Sequence, residues 1–129
     1  MFDSSRAFSS FSVNDLPAAR RFYSDTLGLK VTERAPMGML SIQFAPDHEL
    51  LLYGKDDHAP ASYTVLSFRV DDIDAAVDEL IRRGVSMQRY EGFEQDEKGI
   101  ARPADPAYGP PIAWFTDPAG NILAVLQES

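Results

Sequence analysis

The chain has 129 residues, the size of one ordinary domain, and its 44% hydrophobic and 11% aromatic content suffices for a compact core. Twenty acidic against twelve basic residues give a formal charge of -8, which repels phosphate backbones and anionic surfaces and argues against nucleic-acid and membrane partners. No apolar run approaches the roughly 20 residues of a membrane helix, no signal-like stretch opens the chain, and cysteine is absent, so a cytoplasmic protein without disulfides, thiolate nucleophile or sulfur-ligated metal is expected.

In chain order, "FSSFSV" (8–13) alternates as a strand does, and Asp15 then stands where a helix N-cap belongs. Pro17 suits the first turn, and Leu16, Ala19, Phe22, Tyr23 and Leu27 form one apolar stripe that Gly28 terminates. Three strand-like stretches follow: "LKVTER", "MLSIQF" and "ELLLYG". After "GKDDHAPAS", a linker-like stretch, the same order returns. "VLSFRV" (65–70) leads to Asp72, to the stripe of Ile73, Ala76, Val77, Leu80 and Ile81, to Gly84, and then to "VSMQRY", "PIAWFT" and "NILAVLQ".

The two halves are a repeat. Phe11 and Phe68, Val13 and Val70, and Asp15 and Asp72 are each 57 residues apart, whereas Gly28 and Gly84 are 56 apart, so the second helix has one residue fewer. Each half is therefore βαβββ. The expected class is α+β, with two modules (about 6–54 and 63–127) in a single domain over residues 1–129 and curved mixed sheets enclosing a cavity.

Three blocks, "SVNDLPAARRFYSDTLGLKV", "FRVDDIDAAVDELIRRGV" and "WFTDPAGNILAVLQ", resemble the vicinal oxygen chelate superfamily of glyoxalase I, the bleomycin resistance proteins and the extradiol dioxygenases. The resemblance covers about Phe8 to Gln127 and implies the paired-module fold. In metal-using members it also implies His or Gln in the first strand of each module and Glu in the last, a donor set suited to a divalent ion with open positions. Carried onto this chain, those positions are Phe8, Val65, Ala124 and either Leu51 or Leu52. None can coordinate a metal, and no metal or other cofactor is expected. His48 and His58, near Asp47, Glu49, Asp56 and Asp57, lack a spacing that supports a shared site and read as solvated.

Alternation places Phe11, Val13, Phe68 and Val70 toward the helices and Phe8, Ser10, Ser12, Val65, Ser67 and Arg69 toward the other face. Arg69 reads either as a ligand contact or as the partner of Asp71 or another acid. Asp117-Pro-Ala-Gly suits a type I turn with a left-handed glycine, which sets Trp114 opposite Ala124, either to stack on a planar or cationic ligand or to fill the core. The long segment 94–111 reads as a lid, a dimer contact or a solvated loop. Around it, Tyr90, Phe93 and Tyr108 offer aromatic contacts, and Glu91, Asp96 and Glu97 are candidate acids or bases.

The candidate ligand-binding set is thus Phe8, Ser10, Val65, Ser67, Arg69, Tyr90, Tyr108, Trp114 and Ala124. By resemblance to the bleomycin resistance branch, the leading expectation is a metal-independent homodimer sequestering an aromatic or cationic small molecule. The alternatives are a lyase, isomerase or dioxygenase-type enzyme with a non-standard site, and a regulatory module whose interior is filled by side chains.

Overall fold

A computed structural model of the protein describes residues 1–34, 36 and 38–128. The chain divides into two compact units, residues 1–60 and 61–129. In the first, β1 (Ser9–Val13) leads to α1 (Leu16–Arg21), which runs into a π-helical turn (Phe22–Thr26), followed by β2 (Lys30–Arg34), β3 (Met39–Ala45) and β4 (His48–Gly54). In the second, β5 (Thr64–Val70), α2 (Ile73–Arg82), β6 (Met87–Gln88), β7 (Ile112–Thr116) and β8 (Ile122–Gln127) repeat the order.

Both helices start where the sequence places them. Asp15 Oδ1 accepts from the Ala18 amide at 3.0 Å and Asp72 Oδ1 from the Ala75 amide at 3.1 Å, satisfying donors that the first turn cannot pair internally. Gly28 and Gly84, at φ 72° and 87°, end the two helical segments in the left-handed region. The extra residue of the first helix is absorbed locally: the Leu27 amide bonds to the Phe22 carbonyl five residues back at 2.9 Å, a π turn where α2 has none.

The first sheet has the order β1-β4-β3-β2 and the second β5-β8-β7-β6. In each, the first and last strands are parallel neighbours and the remaining pairs are antiparallel. Burial follows the pleat. Val13, Ile42, Leu52 and Tyr23 are fully enclosed in the first unit, and Ile73, Val77, Phe115 and Leu123 in the second. Each enclosed aliphatic side chain contributes about 1.5–3 kcal/mol.

The expected closure of curved sheets around a cavity does not form. Each sheet is open, with β1 and β2, or β5 and β6, as edges that do not pair with each other. Four strands have neither the number nor the accumulated stagger with which a sheet curls back on itself. The second is shorter still along one edge. "VSMQRY" alternates over six residues, but β6 spans only Met87–Gln88, because the Tyr90 amide donates to Gln95 Oε1 at 2.9 Å instead of to a strand.

The β7–β8 hairpin matches its expected register, with Trp114 opposite Ala124 and Gly120 at φ 84°. Asp117 organises the turn. Its Oδ1 accepts from the Ala119 and Asn121 amides and its Oδ2 from Asn121 Nδ2, all at 2.9 Å, and both side chains are buried. Asp117→Ala, which strands those donors, is expected to cost about 2–4 kcal/mol in urea unfolding, with Asp117→Asn milder. A loss below about 0.5 kcal/mol, the range of an ordinary surface substitution, would show that the turn does not depend on this carboxylate. Among the described residues, no helix is long and apolar enough to cross a membrane.

Candidate functional site

Strand register settles which residues share a face. In the second sheet, Ser67, Ala124, Trp114 and Gln88 form one row across β5, β8, β7 and β6, and Arg69, Leu126 and Ile112 form the next. This is the face opposite Phe68, Val125 and Ala113. Trp114, Ala124 and Ala101 make a buried cluster, with Tyr90, Ile112 and Ile122 packed against it. The Tyr90 ring meets the indole edge-on at 5.5 Å, and Phe93 lies over it at 4.8 Å. Burial raises the Tyr90 pKa, so its phenol stays neutral.

Trp114 thus has a core role, 8% exposed, while Phe93 above it is 54% exposed. Phe93→Ala should therefore leave stability within about 1 kcal/mol and increase acrylamide quenching of the single tryptophan. Unchanged quenching would mean that other groups close the indole off.

The segment after β6 is tied down rather than loose. Gln95 Nε2 donates to the Gln88 and Gly99 carbonyls, and Ala101 exchanges backbone hydrogen bonds of 2.8 and 3.0 Å with Ile112. Asp96 accepts from the Lys98 and Ile100 amides and from Arg102, which also bridges to Asp74 on α2. Partial burial works against ionisation of Asp96, but the hydrogen bonds from Ile100, Lys98 and Arg102 outweigh it and hold its pKa below 3.8. That direction is the reverse of what a general acid at neutral pH needs.

A carboxyl with a lowered folded pKa stabilises fully above its unfolded value and loses the contribution as pH falls through the folded value. Acrylamide quenching of Trp114 is therefore expected to rise as the pH drops below about 4, the ordinary range for Asp. Asp96→Asn should show the raised quenching already at neutral pH, and a flat profile in both proteins would contradict the tether.

Of the other sequence candidates, Ser67 and Arg69 are exposed on the Trp114 face, and a register shift between Thr64 and Leu66 places Val65 at a bulge. Tyr108 is 84% exposed on a separate 3-10 turn (Pro106–Tyr108) and does not join the cluster. Phe8 and Ser10 belong to the first unit. There Ser10 pairs with Leu51, as Ser67 pairs with Ala124, so Leu51 is the sister of Ala124, and Leu52 is fully buried on the helix side.

Phe8 lines a groove of about 470 Å³ with Arg6, Arg34, Gln43, His48 and Glu49. Glu49 Oε2 accepts from Ser41 Oγ and Arg34 Nη2, both at 2.6 Å, and the Ser41 bond first and the arginine second keep its carboxyl ionised below the usual range. A further groove of about 650 Å³ lies between α1 and the β2–β3 connection, edged by the Arg20–Glu33 ion pair. Two features escaped the sequence. Glu49 occupies the same face of β4 as Leu51, and the Ser12 and His58 side chains meet at 2.6 Å between Oγ and Nδ1. Alternation along "HELLLYG" could have found the first, but nothing local signals the second.

Two open βαβββ units, with Phe8, Leu51, Val65 and Ala124 at the positions where metal-using relatives carry ligands, define the class: a glyoxalase-like scaffold whose residues do not fit a metal at the usual place. Among the described residues, no group of three or more His, Asp or Glu side chains is close enough to hold an ion elsewhere. The profile of the Glyoxalase/Bleomycin resistance protein/Dioxygenase superfamily matches residues 8–125, and the chain belongs to that family.

Among solved structures, TnmS3, an antibiotic binding protein from Streptomyces sp. CB03234, is 26% identical over 95% of this chain and 96% of its own, with a TM-score of 0.66. A glyoxalase/bleomycin resistance protein from the same organism is also 26% identical, over 94% and 100%, at 0.60. A superfamily member from Sphaerobacter thermophilus DSM 20745, 24% identical over 95% and 97% at 0.65, shares the fold. No curated protein sequence is significantly similar to this chain.

Proposed function

We propose that this protein is a metal-independent binder of small aromatic or cationic compounds and acts as a homodimer. The observation that carries the reading is the Ser67–Ala124–Trp114 row, in which the family's carboxylate position is a buried alanine beside the only tryptophan. An aromatic compound displacing Phe93 exchanges one ring contact for another and gains apolar burial, a mode that requires no bond to break. The likeness to TnmS3 supports the same reading, since that protein binds an antibiotic. The test is thermal shift of chelator-treated protein against a panel of planar aromatic compounds. Stabilisation that persists in chelator and disappears in Trp114→Ala supports the proposal, and stabilisation only after metal addition would overturn it.

One observation favours the alternative of an enzyme with a non-standard site. Ser12 Oγ and His58 Nδ1 are at a distance over which an imidazole can take a hydroxyl proton. Labelling of Ser12 by a fluorophosphonate, lost in His58→Gln, would favour this alternative. A Ser12→Ala protein with unchanged labelling would remove it.

A further inference from the structure

The Trp114 face of the second sheet carries a single cation in an otherwise uncharged set of rows. Its positions on β7 and β8, from Ile112 to Thr116 and from Ile122 to Leu126, are apolar or hydroxyl-bearing, and those on β5 and β6 include Ser67 and Gln88. Arg69 is the one charged residue in these rows, in a protein of net charge -8. Asp71, two residues further on, is exposed as well and is not in an ion pair with it. The Asp72 carboxylate caps α2, and among the described residues Arg69 forms no ion pair. Arg69 is exposed, in the row directly next to that of Trp114 and Ala124.

We propose that Arg69 makes this face selective for aromatic compounds that carry an acidic group. The inference rests on the reading that the face binds small molecules and decides between its aromatic and cationic branches. Adjacent same-face residues on a strand lie about 7 Å apart, and strands two apart lie about 10 Å apart. The reach of an arginine therefore lets a fused-ring compound lie along Leu126 and the edge of the Trp114 cluster while its carboxylate meets the guanidinium. The planar fork of Arg69 can donate two parallel hydrogen bonds to a carboxylate, which fixes the direction of the charge preference. A cationic ring system meets the same guanidinium as a repulsion.

The test compares 2-naphthoate, 2-naphthamide and 2-naphthylmethylammonium by equilibrium dialysis against the full chain and its Arg69→Gln and Arg69→Lys variants. The expected order is naphthoate about tenfold tighter than the amide, with the ammonium weakest. Arg69→Gln should bring naphthoate down to the amide's affinity without changing the amide, and Arg69→Lys should restore part of the preference. Equal binding of naphthoate and amide, or a preference that survives Arg69→Gln, overturns the role of Arg69 while leaving the binding face in place. Absence of binding by all three overturns the binding face and this inference together.

Discussion

Ala124→Glu, which returns a carboxylate to the position that metal-using relatives occupy, is expected to lower the unfolding free energy by about 4 kcal/mol or more and to create no metal site. Ala124 is fully enclosed in the cluster of Trp114 and Ala101, so the longer side chain both overpacks the row and buries an unpaired charge. Phe8, Leu51 and Val65 cannot supply the remaining ligands. Urea unfolding measures the cost, and elemental analysis after equilibration with zinc tests for a site. A variant as stable as the parent would show that the row has space for a carboxylate, and stoichiometric zinc would show that other side chains can complete the coordination.

Trp114→Ala is expected to cost about 3–5 kcal/mol, because the indole contacts Tyr90 and Phe93 and shares a cluster with Ala101 and Ala124. Under conditions where the variant remains folded, its affinity for 2-naphthoate should fall by about tenfold or more, since stacking and burial are lost together. Phe93→Ala removes the ring that the compound has to displace and should raise that affinity. Retention of full affinity in Trp114→Ala would place the binding surface away from this row.

The repeat was legible because its signals are local. An aspartate cap, an apolar stripe and a terminating glycine recur at a constant offset, and the single missing residue between Asp72 and Gly84 corresponds to the π turn that the first helix contains and α2 lacks. The β7–β8 register was legible for the same reason, since Asp117 and Gly120 determine the turn and the turn determines the pairing of Trp114 with Ala124.

What the sequence did not show depends on partners remote in the chain. Strand period reveals neither that Gln95 captures the Tyr90 amide and ends β6 nor that the sheets stay open. It also gives no sign that Ser12 meets His58, 46 residues away in the segment expected to be a solvated linker. For the candidate site, alternation placed Ser67 and Arg69 on the Trp114 face. The covering of Trp114 by Phe93 and Ala101 required the fold of the segment after β6, whose polar stretch 94–111 conceals its tethering to α2 through Arg102 and Asp74.

The most direct measurement is equilibrium dialysis of 2-naphthoate against chelator-treated protein, alone and with an equivalent of zinc, nickel, manganese or anaerobic iron(II). Saturable binding of one molecule per chain, with the same affinity in every sample and loss in Trp114→Ala, is the expected result. Binding that appears only after a metal is added, or that Trp114→Ala leaves unchanged, would contradict a metal-independent site on the Trp114 face.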